Sequence, residues 1–294
     1  MIRPALRAMR PLQWTKNVLV FAAPAAAGVL DEARPLGLTL LTFVAFCLAA
    51  SGTYLWNDLA DLEADRRHPT KRTRAIAAGD LSESAARALG VLLPLAALGL
   101  AALTGRWQTV AVLAVYIALT LSYTVWLKHV PVVDLLTIAS GFVLRAAAGA
   151  AAVDVAMSRW FVLCVVFGSL FIVVGKRYAE LNELGHGSAT RATLATYTTG
   201  YLRILLSVSL AGALISYCVW AFEASEISPV QRDDSDWPFY EASVVPMIAA
   251  LFRYLFVLER GEGAAPEEVF ARDRVLQFAG AAWIVIYGLA VYAG

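Results

Sequence analysis

The sequence predicts an all-α, multi-pass membrane helical bundle of about nine transmembrane helices, on three observations. The 294 residues are 60% hydrophobic and 16% charged, with a mean hydropathy of +0.65, whereas soluble domains carry about 25% charge. Continuous apolar runs of about 20 residues, enough to cross about 30 Å of hydrocarbon, recur along the whole chain. Lys and Arg gather on alternate connections, the pattern left when cations are retained on the cytoplasmic side. A transmembrane barrel is excluded, because the runs are continuous and not alternating ten-residue strands.

The runs cover approximately 17–34, 36–56, 87–104, 107–127, 131–153, 159–175, 201–221, 240–258 and 274–292. The first follows Arg3, Arg7 and Arg10 and ends near Ala25-Ala26-Ala27, which resembles a cleavable signal. Lys16-Asn17 interrupts its apolar core and eight more runs follow, so a first span is the better reading. The second run leads directly into an acidic stretch, Asn57 to Asp65. The fourth ends at Ser122-Tyr123 and Lys128. The fifth carries Asp134 and Arg145, eleven residues apart and therefore about 16 Å apart along one helix, with the small-residue stretch Ala146–Ala152 that permits close helix approach. Asp134 reads as a site residue and Arg145 as a structural partner to another helix. The sixth ends at Gly175-Lys176-Arg177.

With the N-terminus inside, all of the 24 Lys and Arg fall on cytoplasmic segments except Arg34, Arg106, Arg145, Arg159 and Arg232. This predicts a plasma-membrane protein with its chemistry facing the cytoplasm, where the long charged connections 57–86 and 176–200 lie. The opposite side is simply acidic, as at Asp233, Asp234 and Asp236. No boundary or repeat divides the chain, so 1–294 reads as a single domain. A net charge of +1 gives no footprint for nucleic acid. Cys47, Cys164 and Cys218 lie in apolar runs without metal or disulfide spacing, and His68, His129 and His186 are scattered loop residues read as bystanders.

The strongest chemical signal is Asn57-Asp58-Leu59-Ala60-Asp61-Leu62-Glu63-Ala64-Asp65. If the helix of span two runs on, Asp58, Asp61 and Asp65 recur at i, i+3 and i+7 and share one face with Asn57 beside them. Three like charges on one stripe need an offset. Carboxylate oxygens suit Mg2+, which takes one or two protein carboxylates and completes its shell with water and phosphate oxygens, so the stripe reads as a metal-bridged diphosphate site. Arg66 and Arg67 follow at once, and a salt-bridged, solvated helix end is the competing reading.

This motif resembles the first aspartate-rich motif of the UbiA superfamily of intramembrane transferases. Pro11-Leu12-Gln13-Trp14-Thr15-Lys16-Asn17 resembles the start of that family's first helix. Arg74-Ala75-Ile76-Ala77-Ala78-Gly79 resembles its Arg-Pro-Ile-x-x-Gly stretch with Ala75 in place of proline, and Ser122-Tyr123 with Lys128 resembles the end of its fourth helix. The resemblance spans the chain. It implies nine helices, a cytosol-facing cavity, Mg2+ as cofactor, and Asp58, Asp61 and Asp65 as metal-holding catalytic residues.

The second acidic cluster expected after helix six is absent. Gly175-Lys176-Arg177-Tyr178-Ala179-Glu180-Leu181 stands there, with one acidic side chain and two added cations. A helix-surface pair of Lys176 with Glu180 is the plain reading. The other is that magnesium on one wall and fixed positive charge on another suit a ligand with an extra phosphate, such as phosphoribosyl pyrophosphate. The wording of 65–72, of 167–181 and of 272–277 resembles the actinobacterial phosphoribosyltransferase branch of the superfamily. That implies transfer of 5-phosphoribose to a polyprenyl (decaprenyl) phosphate, in the pathway to the arabinose donor of cell-wall arabinogalactan and lipoarabinomannan.

Further substrate-binding candidates are Lys16, Asn17, Asn57, Lys71, Arg72, Arg74, Tyr123, Lys128, Asp134, Lys176, Arg177 and Glu180. For Lys71, Arg72 and Arg74 a plain positive-inside loop is the alternative. Snorkelling to headgroups would equally explain Lys16 and Lys128, and an interfacial aromatic belt would explain Tyr123. Expected partners are phosphoribosyl pyrophosphate, the polyprenyl phosphate and membrane lipids, with no nucleic acid; a homo-oligomer stays open. The rivals are a UbiA-type prenyltransferase using prenyl diphosphate and an aromatic acceptor, and a multi-span transporter. Clustering of charge at one membrane face argues against the transporter.

Overall fold

Helices form 84% of the described residues, in a computed structural model that describes residues 2–184, 194–227, 238–263 and 265–293. His186 and Arg191, and the expected outer-side charges Arg232, Asp233, Asp234 and Asp236, lie outside the described residues. Among the described residues no strand occurs, and eight helices are long and apolar enough to cross a membrane. The helices group into two compact units, Met1–Ala156 and Met157–Gly294, where the sequence alone marks no boundary.

In the first unit, α1 (Ile2–Met9) precedes a 3₁₀ helix over Pro11–Phe21 that continues into α2 (Ala22–Ala26). The expected first span is therefore not one α-helix over 17–34. A 3₁₀ helix rises about 2.0 Å per residue and an α-helix about 1.5 Å. The 11 residues of the one and the 5 of the other thus reach about 30 Å together, the thickness of the hydrocarbon core. Such a long 3₁₀ run needs tertiary support, and α7 (Val133–Val153) gives it. A Cβ added to Gly149 would lie 1.8 Å from the Val20 carbonyl oxygen, so the backbone of the 3₁₀ helix rests directly on that glycine. The small-residue stretch expected to allow close approach is where it happens, with Ala146, Ala148, Ala150 and Ala152 also buried.

Arg145 secures the same interface one turn away. Its guanidinium donates to Asn17 Oδ1 (2.7 Å), the Gly141 carbonyl (2.7 Å) and Tyr116 Oη (3.0 Å) and lies 4.8 Å from the Tyr116 ring centre. Hydrogen bonds and ring faces together make a charge tolerable inside an apolar bundle. Arg145 is thus the helix-to-helix partner expected of it.

α3 (Ala33–Ala60) is central to this unit and packs against the 3₁₀ helix, α5 (Glu83–Ala102), α6 (Trp107–Val125) and α7. Its Thr39 and Thr42 hydroxyls donate back to the Pro35 and Leu38 carbonyls, both at 2.8 Å, which satisfies them without water. The α3–α5 contact is built around Pro94. Lacking an N–H, Pro94 leaves the Gly90 carbonyl without its helical donor, and the Trp56 indole N–H takes it at 2.9 Å. Gly52 makes room for the ring, since a Cβ there would come within 2.4 Å of Pro94 Cδ. Pro94 and Gly52 thereby fix α3 shortly before the aspartate motif begins.

The second unit contains α8 (Arg159–Leu184), α9 (Thr199–Ile227), α10 (Phe239–Ala242), α11 (Val244–Glu259), α12 (Pro266–Arg272) and α13 (Arg274–Tyr292). α8 and α9 meet where Gly212 accommodates the Phe167 ring, which a Cβ added to that glycine would approach to 2.5 Å. Tyr217, Trp220, Tyr240, Trp283 and Tyr287 pack ring on ring at 5.0–6.4 Å. The Tyr217 hydroxyl takes the Trp283 N–H at 2.5 Å and lies 2.7 Å from Ser243 Oγ, which satisfies the polar tips of these two aromatics inside the cluster.

Candidate active site

The aspartate stripe forms across a break in the helix. α3 ends at Ala60, Asp61 departs from helical geometry (φ −94, ψ 6), and α4 (Leu62–Arg67) resumes. The bonds from Asp61 N to Asn57 O (3.0 Å) and from Asp65 N to Asp61 O (2.8 Å) carry the i to i−4 pattern through the join. Asp58, Asp61 and Asp65 therefore keep one face, as their spacing predicts. Asp58 and Asp65 are buried, at 4% and 3% exposure, while Asp61 is a third exposed.

Their charges are offset by three cations from elsewhere in the first unit. Arg74 donates to Asp65 Oδ2 at 2.6 Å and Asp58 Oδ1 at 3.1 Å. Arg10 donates to the same Asp58 oxygen, and Lys128 to Asp61 Oδ1 at 2.6 Å. Asn57 donates to the other Asp61 oxygen at 3.2 Å. The competing expectation placed Arg66 and Arg67 against this stripe. Arg66 turns instead to Glu63 (2.8 Å) and Glu83 (3.8 Å).

Local structure explains why Arg74 arrives. Ala75, Ile76 and Leu81 are buried in an apolar cluster with Ala8, Leu55, Leu62 and Ala86, so the loop between α4 and α5 is pinned by its own hydrophobic residues. Gly79 turns it at φ +81, which a side chain would resist. Arg74 itself is extended, at φ −63 and ψ 144, the conformation a following proline would impose. Arg74 thus adopts this conformation with Ala75 after it. His68 shapes the preceding turn, its Nδ1 accepting from the backbone N–H of Thr70 and Lys71, both at 3.3 Å.

Of the other expected residues, Lys71 is half-buried and Arg72 exposed in that loop. Tyr123 is half-buried near the end of α6, and Asp134 is buried at 1% exposure in the first turn of α7, where the helix dipole favours a carboxylate. Lys16 donates to Gln13 Oε1. Asn17 departs from the substrate-binding expectation. It is fully buried, with its oxygen on Arg145 and its amide 3.3 Å from Cys47 Sγ, and both ends serve packing. Lys176, Arg177 and Glu180 belong to the second unit and sit on α8, which continues through this stretch. Arg177 bonds Glu180 at 2.9 Å and Lys176 approaches it at 4.0 Å, so the i, i+4 pair expected as the plain reading does form.

Arg10 is the residue that sequence reasoning missed. Nothing in its position distinguishes it from Arg3 and Arg7. What sets it apart is a left-handed backbone, φ 54 and ψ 63, and a guanidinium 5.0 Å from the Tyr54 ring centre. Val132, between Lys128 and Asp134, is also strained at φ 69, and such outliers in non-glycine residues concentrate at working sites.

The donor chemistry fits a hard divalent cation. The stripe offers only oxygen ligands, the kind Mg2+ takes from one or two carboxylates; among the described residues no group of three or more His, Cys, Asp and Glu side chains is placed to hold a metal ion.

The chain is similar to known proteins over nearly its whole length. A model described as "UbiA prenyltransferase family" matches residues 18–281. The chain is 43% identical to the decaprenyl-phosphate phosphoribosyltransferase of Corynebacterium glutamicum over 98% of its own length and 86% of that protein. It is 41% identical to the Mycobacterium tuberculosis enzyme of the same name over 100% and 96%. Among solved structures, a UbiA homolog from Archaeoglobus fulgidus bound to DMAPP and Mg2+ superposes with a TM-score of 0.73 at 17% identity, covering 98% of this chain and 99% of that one. The same homolog bound to GPP and Mg2+ gives 0.71 at 18% identity, covering 99% and 100%. The chain is an integral membrane protein and belongs to the UbiA prenyltransferase family.

Proposed function

We propose that the protein transfers 5-phosphoribose from phosphoribosyl pyrophosphate to a polyprenyl phosphate such as decaprenyl phosphate, releasing pyrophosphate. The observation that carries this reading is identity of 41–43% over essentially the whole chain to decaprenyl-phosphate phosphoribosyltransferases. The exchange of a second acidic cluster for Lys176 and Arg177 supports it, because the donor has a 5-phosphate in addition to its diphosphate.

In this reading Asp58, Asp61 and Asp65 hold Mg2+, and Asn57 orients Asp61. When bound there, the metal would supply positive charge to the pyrophosphate leaving group. Arg74 and Lys128, already at the stripe, donate to phosphate oxygens, with Lys71 and Arg72 beside them on the loop. Lys16, Tyr123 and Asp134 complete the substrate-binding set in the first unit, and Lys176 and Arg177, with Glu180 orienting them, receive the 5-phosphate. The C1–O bond to pyrophosphate breaks as a lipid phosphate oxygen bonds to C1. That nucleophile is an anion at neutral pH, so no general base is needed, and catalysis is positioning and electrostatics. The site faces the cytoplasm of a plasma-membrane protein whose N-terminus is inside, where the donor is soluble and the acceptor lies in the bilayer.

Purified protein in detergent, given both substrates and Mg2+, is expected to form a phosphoribosyl lipid identified by mass spectrometry. Asp61→Asn, a partly exposed position that should fold normally, is expected to lose at least about 100-fold in rate. Full activity in that variant would refute the metal assignment.

A further inference from the structure

The stripe is already neutral before anything binds. Asp58, Asp61 and Asp65 carry three negative charges, and Arg10, Arg74 and Lys128 bring three positive ones. With Asp58 and Asp65 buried, this balance is weakly screened by salt. A divalent cation arriving alone would leave two positive charges uncompensated and would have to displace a guanidinium. A cation arriving with a diphosphate brings its own negative charge, and the displaced guanidinium gains phosphate oxygens to bond.

Arg10 is placed to be that guanidinium. One face of α3 receives the turn that carries it, through Ser51, Tyr54 and Asp58, which recur at i, i+3 and i+7. The Ser51 hydroxyl accepts from the Trp14 indole at 3.1 Å and lies 3.1 Å from the Met9 carbonyl, so residues on both sides of Arg10 are tied to α3. Between these ties Arg10 holds a left-handed conformation directly before Pro11, which a residue preceding proline resists. Its side chain reaches over the Tyr54 ring to Asp58 and stays about a quarter exposed, unlike its partner. The turn is anchored while the guanidinium keeps access to the outside.

We infer that Arg10 is an exchangeable counter-cation of the aspartate site: it holds Asp58 while the site lacks an anion and transfers to the donor's diphosphate when metal and diphosphate bind together. Arg10 is a positioning residue in the first state and a diphosphate ligand in the second. Metal alone then binds weakly, metal and diphosphate strengthen each other by one common factor, and substitution of Arg10 moves the two affinities in opposite directions. The inference rests on the stripe being the metal–diphosphate site, but not on which group the diphosphate leaves.

The test uses the full-length protein in detergent, with Mn2+ followed by electron paramagnetic resonance and inorganic pyrophosphate as the second ligand, corrected for the complex they form in solution. In the wild type, pyrophosphate is expected to tighten Mn2+ binding by about 5–150-fold. In Arg10→Gln, Mn2+ alone should bind about fivefold more tightly or better, pyrophosphate alone more weakly, and their mutual enhancement should shrink. Arg10→Gly, which also relieves the backbone, should behave alike and keeps the test sound if Arg10→Gln folds poorly. Arg10→Lys should retain most of the enhancement. Unchanged or weaker Mn2+ binding in Arg10→Gly with an unaltered melting temperature would overturn the inference and leave Arg10 a tether. Enhancement that is intact in Asp58→Asn would refute the stripe as the site. Coupled binding without phosphoribosyl transfer would refute only the donor assignment.

Discussion

Gly149→Ala tests how the unusual first crossing is held. The new methyl would be placed 1.8 Å from the Val20 carbonyl oxygen and 2.8 Å from its carbon, whereas carbon and oxygen rest at about 3.3–3.6 Å. Backbone cannot rotate aside as a side chain can, so the 3₁₀ helix must move from α7 by about 1.5 Å. One turn away on both elements lies the 2.7 Å bond from Arg145 to Asn17, which such a shift would break. Overpacking costs about 1–3 kcal/mol and a hydrogen bond to a charged group contributes about 1.5–3 kcal/mol, so the loss should reach roughly 3–6 kcal/mol. Thermal unfolding in detergent reads it, with Gly99→Ala as the control. Its methyl meets nothing within 4 Å, and it should be neutral or stabilise by about 0.4–1 kcal/mol. The shifted segment begins beside Arg10, and a displacement of about 1 Å can cost about 100-fold in rate, so transfer by the folded fraction should also fall. A Gly149→Ala protein that melts and turns over like the wild type would refute the contact and the support it gives the first crossing.

Two further substitutions examine the frame around the site. Trp56→Phe strands the Gly90 carbonyl that Pro94 leaves open and should cost about 1–3 kcal/mol, but much less in a Pro94→Ala background, where an alanine N–H takes that carbonyl; additive losses would contradict the coupling. Asp273 caps α13 through Leu276 N (2.9 Å) and takes three hydrogen bonds from Arg253, which chiefly hold its carboxyl below the usual range. A lowered folded-state pKa means its contribution is present above the unfolded value of about 3.9 and is lost as pH falls through the folded value. The melting-temperature gap between wild type and Asp273→Asn should therefore be constant above about pH 5 and close below about pH 4; a gap that widens with acid would reverse the sign.

The helices were legible because each long apolar run can be satisfied only by a helix in a bilayer. The first crossing was not, because hydropathy reports apolar length and says nothing about rise per residue. Charged helix ends were read short for a related reason: Lys176 to Glu180 reads as a loop by hydropathy, yet α8 runs to Leu184 because its i, i+3 and i+4 ion pairs stabilise the last turns. At the site, spacing alone put Asp58, Asp61 and Asp65 on one face, since that is a property of a single helix. Their partners are 48 residues away for Arg10 and 67 for Lys128, and no local pattern encodes such pairings. Asn17 joins the expected substrate-binding set with Lys16 through the resemblance of 11–17 to the start of the family's first helix, yet one residue along a 3₁₀ helix turns the side chain by a third of a circle, into the core.

Which donor the aspartate site uses is decided by pyrophosphate release from one detergent preparation given polyprenyl phosphate and Mg2+ with phosphoribosyl pyrophosphate, and in parallel given prenyl diphosphate with an aromatic acceptor. Release is expected with the first donor, lost in Asp58→Asn, and none above background with the second. Turnover of prenyl diphosphate with phosphoribosyl pyrophosphate left intact would contradict the proposed transfer.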